Sequence, residues 1–215
     1  MTLEYSTPYG FFYKDKGWFK KLVITSLLTM TLIGAAPVFG WAIEIVRRVA
    51  RGEEPVVPEL EDWGLYWKLG GKFAFANALW LLPLLLATVL LYLPLIFVNQ
   101  IPPELLLVIF SGVLLCVMGF LFVYSIVYAY FIPVMMVSLA DDDSAWQAAN
   151  PVHLWRLARP RLGGYLMLYL VVGVGMVNLV VFLSAFTLFL LLPPLVVYLT
   201  LVTAHFAGQL GKKTE

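Results

Sequence analysis

Long apolar runs alternate along this chain with short polar turns and strongly charged segments. Residues 73–98 and 104–132 read as two helical spans, with kinks expected at Pro83 and Pro94 in the first. Residues 165–190 and 194–207 read as two more. A bilayer core of about 30 Å takes about 20 apolar residues in a helix. The turns between partners are short: Asn99-Gln100-Ile101-Pro102-Pro103 in one pair and Leu192-Pro193-Pro194 in the other, neither with a Lys or Arg. Residues 18–51 are a different case. One helix of that length would reach about 50 Å at 1.5 Å per residue, too long for a tilted span. Gly34-Ala35-Ala36-Pro37 sits in its middle, and proline removes a helix hydrogen bond and crowds the preceding turn. The pattern predicts two short helices, near 18–34 and 37–51. Either the first crosses and the second lies along the far surface, or the two form a short or re-entrant hairpin with its tip near Pro37.

Composition turns this pattern into a class. Apolar residues are 62% of the 215 and charged residues 13%, against about 45–50% and about 25% in soluble domains; mean hydropathy is +0.91. The expected fold is all-α, a polytopic membrane bundle forming a single domain over residues 1–215. The net charge of +1 offers no bulk attraction for nucleic acid. Cys116 is the only cysteine, so an intrachain disulfide is excluded. Lys20 and Lys21 before an apolar run imitate a signal peptide, but the leading stretch is long and aromatic and Pro37 follows the small residues directly. Residues 1–17 are therefore expected to be a cytoplasmic tail. Phe11, Phe12, Tyr13, Trp18 and Phe19 among lysines suit the headgroup layer.

The distribution of basic residues bears on the threading. Lys and Arg number 4 in the N-terminal tail, 5 in residues 44–72, 3 in residues 133–164 and 2 at the C-terminus, with none at either turn. A single crossing by residues 18–51 would divide them 10 and 4, a hairpin 14 and 0. The positive-inside bias favours the hairpin. The expectation is three hydrophobic hairpins, 18–51, 73–132 and 165–207, in the cell membrane with both termini and all charged segments cytoplasmic. The second and third share an order: acidic residues, a Trp, a basic residue, Leu-Gly-Gly, an aromatic, a span, Pro-Pro and a span. This is either an internal repeat or the ordinary enrichment of Gly, Pro and Trp at membrane boundaries. Between the spans, Asp143 could cap a short helix carrying Trp146, and Asn150-Pro151 reads as a second cap and first-turn proline. Basic residues beside tryptophan suit amphipathic helices in the headgroup plane, and residues 59–68, with Trp63, Tyr66 and Trp67, read the same way.

Several stretches resemble a known family. They are Trp18-Phe19-Lys20-Lys21, Gly34-x-x-Pro37-x-x-Gly40, Val46-Arg47-Arg48-Val49-Ala50-Arg51-Gly52-Glu53, Pro58-Glu59, Asp62-Trp63 and Ala204-His205-x-x-Gly208-Gln209. Over nearly the whole chain the sequence resembles an uncharacterised family of prokaryotic integral membrane proteins, the domain-of-unknown-function family numbered four thousand and thirteen. The resemblance implies a helical membrane fold in bacteria or archaea and carries no activity.

The candidate residues are few. Arg47, Arg48 and Arg51 gather at a helix C-terminus. There they complement the helix dipole, pair with Glu44 and fix topology, or they hold anionic lipid headgroups or a phosphorylated ligand. His205, near the end of the last span, is either a buried histidine bonded to its surroundings or a ligand or proton carrier. Asp141-Asp142-Asp143 is either a solvated helix start or a cation site. No residue set has the spacing of a metal centre, and no cofactor is expected. The polar residues within the spans, Asn77, Ser111, Cys116, Tyr124, Ser125, Tyr128, Asn178, Ser184 and Thr187, are uncharged. Ion-coupled transporters mark their paths with ionisable groups. Tyr124 and Tyr128, one turn apart, are expected to pack between helices. Gly112, Gly119, Gly173 and Gly175 are expected to allow close helix approach. Two classes of function remain open. One is a non-catalytic accessory or assembly subunit, or a lipid-organising scaffold, whose partners are membrane lipids and another membrane protein or a second copy. The other is a permease-like protein for a small or lipidic substrate.

Overall fold

The structure is a computed structural model that describes residues 6–31, 33–96, 99, 102–187 and 191–212. Among the described residues every regular element is helical. In chain order they are α1 (Thr7–Gly10), α2 (Trp18–Thr29), α3 (Ala35–Arg51), α4 (Trp63–Leu90), α5 (Leu93–Ile96), α6 (Pro103–Asp142), α7 (Ala145–Ala149), α8 (Pro151–Ala158), α9 (Leu162–Leu168), α10 (Val177–Phe186) and α11 (Leu192–Gly211). Tyr169–Met176, between α9 and α10, is wound as a π-helix. Among the described residues four stretches are long and apolar enough to cross a membrane: Trp63–Leu90, Pro103–Asp142, Pro151–Ala185 and Leu192–Gly211. The chain divides into two units, Met1–Ala76 with Tyr130–Glu215, and Asn77–Ala129.

In the larger unit α3 is enclosed. Trp41, Ala42, Ile43, Ile45 and Val46 are all fully buried, and on α11 Val197, Leu201, Val202, Ala204 and Phe206 are buried as well. Where the surroundings are hydrocarbon, moving a Leu or Ile inward gains little by transfer, so close van der Waals packing must hold helices together, and small residues at the crossings permit it. A Cβ on Gly40 would meet the backbone of Tyr66, and one on Gly70 the backbone of Ala36. The reciprocal pairs, four residues apart on each helix, fix an antiparallel crossing of α3 and α4. A Cβ on Gly208 would lie 2.8 Å from Val46 O and 2.6 Å from Val49 Cβ, so α11 also packs closely on α3. The glycines expected at such contacts are elsewhere: Gly112 and Gly119 face open space, and Gly173 and Gly175 meet only their own π-wound stretch. A regular spacing of glycines marks a face, but only a partner backbone makes it a crossing.

Helix α2 has its polarity inverted. It buries Lys21, Thr25 and Ser26 and turns Phe19, Val23 and Leu27 outward. The hydroxyls of Thr25 and Ser26 donate to carbonyls a turn earlier, Lys21 O at 2.7 Å and Leu22 O at 2.6 Å. This is the arrangement a helix needs when its outer face meets an apolar medium.

Apart from the short α5, the smaller unit is a pair of long helical segments, residues 77–90 and 103–129, with most large side chains exposed. Tyr124 and Tyr128 pack between them as expected. The Tyr124 hydroxyl donates to Trp80 O at 2.7 Å and that of Tyr128 to Asn77 Oδ1 at 2.6 Å.

Several boundaries differ from expectation. The break in residues 18–51 falls at Met30–Gly34, with Leu32 outside the described residues, and Pro37 sits in the first turn of α3. Proline is tolerated there because first-turn N–H groups have no helical acceptor. Residues 63–68, read as a surface helix, are the first turns of α4, and the span expected over 104–132 continues to Asp142. Pro83 lies inside α4 as expected, but where a kink is expected at Pro94 the helix is interrupted just before it, at Leu91 and Tyr92. In the turn 99–103, Gln100 and Ile101 lie outside the described residues. Asn150 caps α8, accepting from Val152 N and His153 N. By contrast Ser144, and not Asp143, caps α7. The two Leu-Gly-Gly stretches pack differently. In the first, the leading glycine, Gly70, is the crowded one; in the second it is the trailing Gly164, against Leu210.

Candidate functional site

The arginine cluster terminates α3. Gly52, at φ 69°, takes the left-handed conformation that ends a helix, a conformation glycine adopts without the Cβ penalty. Its N–H donates to Val49 O, and that of Glu53 to Arg48 O. Arg47 ties α3 to the end of α6: its Nε donates to Ala140 O at 3.2 Å and its Nη1 to Glu44 Oε2 at 3.0 Å. Arg48 reaches Pro55 O at 3.0 Å and Glu44 Oε1 at 3.5 Å. The expected pairs with Glu44 at both spacings are therefore formed. Arg51 is exposed and stands 3.5 Å from Glu53.

The following loop is fastened on several sides. Trp41 Nε1–H donates to Pro58 O at 3.0 Å and the Tyr66 hydroxyl to Glu59 O at 2.6 Å. Lys21, 4% exposed, sits 3.1 Å from Asp15 and 2.9 Å from Glu59. A buried ammonium needs such partners, since an uncompensated one costs several kcal/mol. This knot draws residues just before α2 and just after α3 together.

Above the loop opens a cavity of about 640 Å³. The chain before α2 contributes Lys14, Asp15 and Lys16, the loop after α3 contributes Gly52–Val57 and Glu59, and the end of α11 contributes His205, Gln209 and Lys212. Both ends of the 18–51 segment thus border one space. His205 is 5% exposed. Its ring lies 4.5 Å from that of Phe11, centroid to centroid, and Nδ1 is 3.4 Å from Gln209 Nε2. The lining places ammonium and carboxylate groups around one imidazole, with Phe11, Val49 and Val57 supplying apolar wall. Such a space can hold a small polar molecule bearing both charges.

The other candidates lie apart from this cavity's lining. His153 is on α8. Of the acidic run, Asp143 locks α6 to α4: its Oδ2 is 2.7 Å from Lys72 Nζ and 3.3 Å from Lys68 Nζ, and its carbonyl accepts from Lys72 at 2.6 Å. Burial opposes its charge, but the hydrogen bonds and charges of Lys72 and Lys68 outweigh that and hold its carboxyl below the usual carboxylate range. Among the described residues no three His, Cys, Asp or Glu side chains gather as metal ligands would.

The family model for a protein of unknown function, DUF4013, matches residues 23–192. The chain belongs to this family. No curated protein and no solved structure matches it. The DUF4013 match covers Gly34 and the start of α3 to Gly40, the arginine cluster and the fastened loop, and stops before His205 and Gly208. The resemblance read from Trp18-Phe19-Lys20-Lys21 and Ala204–Gln209 thus falls outside the matched range. Within it, family-like residues have visible work: Gly40 sets a crossing, Arg47 and Arg48 pair with Glu44, and Pro58 and Glu59 accept the Trp41 and Tyr66 donors. Reading the sequence missed the Lys21–Asp15–Glu59 knot. Its signal was a lysine placed one turn inside an otherwise apolar helix, where a charge needs a partner.

Proposed function

We propose that this DUF4013 protein is a non-catalytic membrane protein, an accessory or assembly subunit or lipid-organising scaffold that acts through what it binds in the bilayer. The observation that carries this reading is the filled centre of the larger unit. The side chains that a solute would have to displace, Trp41, Ile43, Ile45 and Leu201, are wholly buried against one another's helices, while the outward residues of α2 and of Pro103–Asp142 are large and apolar. The equipment is for packing against lipid and other helices. Within this proposal the 18–51 segment is a short hairpin, and the pairs 73–132 and 165–207 complete three. Both termini and the charged segments lie in the cytoplasm. The shared cavity border of Lys14–Lys16 and Gly52–Glu54 supports the first hairpin. Lipid contact by the α3 cluster falls to Arg51, whose guanidinium is outward.

A permease-like role is the second reading, favoured by the cavity of about 640 Å³ beside His205. Purification in mild detergent, with identification of bound lipid and protein, followed by reconstitution in sealed vesicles, separates the two. The scaffold reading expects a stoichiometric partner or retained lipid and no solute flux. Flux of a small solute, lost in His205→Ala, would overturn it. The non-catalytic reading has its own check in the double variant His153→Ala/His205→Ala. If that pair abolishes the phenotype that deletion reveals, while expression and partner association stay normal, a chemical role for histidine is the better account.

A further inference from the structure

Four of the six arginines are held by other groups of the chain: Arg47, Arg48 and Arg51 as described, and Arg161 by Lys212 O. Arg156 and Arg159 are exposed, and among the described residues they make no hydrogen bond or ion pair. They share a stripe of α8 and the turn after it with Val152 and Trp155, since positions 152, 155, 156 and 159 follow the spacing of one helix face. Val152 is 62% and Trp155 48% exposed, while Leu154 and Ala158 behind them are fully buried. On α7, Trp146 is 70% exposed. No Asp or Glu occurs between residues 144 and 191, so nothing in sequence neutralises the pair. Further along, the outward residues become wholly apolar: Leu162, Leu166, Met167 and Leu170. Two unpartnered guanidinium groups are too costly in hydrocarbon, and Trp with Val beside them suits the layer where water gives way to lipid.

We propose that this outer face of α8 binds the phosphate groups of anionic phospholipids, with Arg156 and Arg159 as the phosphate donors and Trp155 and Val152 seated at headgroup depth. The inference rests on the membrane reading above and moves the main lipid contact from α3 to α8. A guanidinium presents a planar fork of donors that matches phosphate oxygens, and here both forks are unoccupied.

The test uses the full chain with Cys116→Ser and a bimane probe on Val152→Cys, in nanodiscs of phosphatidylcholine and phosphatidylglycerol. Two bilayers of equal composition differ only in which lipid is brominated. The expected result is stronger quenching by brominated phosphatidylglycerol, an enrichment of about fivefold per arginine. Arg156→Gln/Arg159→Gln should abolish the excess and Lys16→Gln should leave it; the single variants should fall between. Equal quenching by both lipids in the unsubstituted chain would overturn the proposal, as would no quenching by either in a reconstituted chain. A chain that stays out of the bilayer altogether, after carbonate washing, would contradict the membrane reading itself.

Discussion

Gly70 and Gly71 are neighbours on one helix and make a controlled comparison. Replacing either by alanine changes helix propensity by the same amount, about 1 kcal/mol in favour of alanine, so that contribution cancels between them. What differs is space. A Cβ on Gly70 would meet Ala36 O and C well inside 3.0 Å, while one on Gly71 meets nothing within 4 Å. The contact at Gly70 is backbone, which cannot rotate away, so α3 and α4 must separate and loosen the packing around Trp41. Overpacking of this kind costs about 1–3 kcal/mol, occasionally more. Gly70→Ala is therefore expected to be less stable than Gly71→Ala by about that amount, read as the midpoint of unfolding in detergent micelles. Gly40→Ala, against Tyr66, should behave like Gly70→Ala. Equal midpoints for the two neighbours would refute the α3–α4 crossing as the seam of the larger unit.

Other consequences follow from single contacts. Asp143 has a folded pKa held below its unfolded value of about 3.9, by Lys72 and Lys68. Its contribution is complete above the unfolded value and is lost as pH falls through the folded one, so Asp143→Asn should flatten the loss of stability seen on acidification below about pH 4. Trp41→Phe leaves Pro58 O without its donor and should cost about 1–3 kcal/mol, measured by the same unfolding midpoint. Lys21→Met strands Asp15 beside Glu59 and should raise proteolytic cutting in residues 53–62; an unchanged cutting pattern would mean the knot does not hold the loop.

The apolar runs made the membrane class and four of the long helices legible, because a span must be continuously apolar whatever it packs against. Ends were less legible. Tyr66 and Lys68 read as part of a separate surface helix, yet they lie in the first turns of α4, where Tyr66 donates to the Glu59 carbonyl and the exposed Lys68 pairs with Asp143. The arginine cluster was found by its charge, and its pairing with Glu44 followed from helix spacing. The cavity was not found, since Lys14, Glu53 and His205 are far apart in sequence and meet only after the Lys21 knot and the close approach at Gly208 draw their segments together. Gly112 and Gly119 read as sites of close helix contact for the same reason: Gly70 and Gly112 differ in what stands opposite, which spacing alone does not reveal.

The central claim is that residues 18–51 turn back within the bilayer and leave the charged segments together on one side. Single cysteines at Lys14 and Glu53, in a Cys116→Ser chain in sealed membrane vesicles, measure it with a membrane-impermeant thiol reagent. The account predicts that both label from the same face, since both line one cavity. Labelling from opposite faces would contradict it.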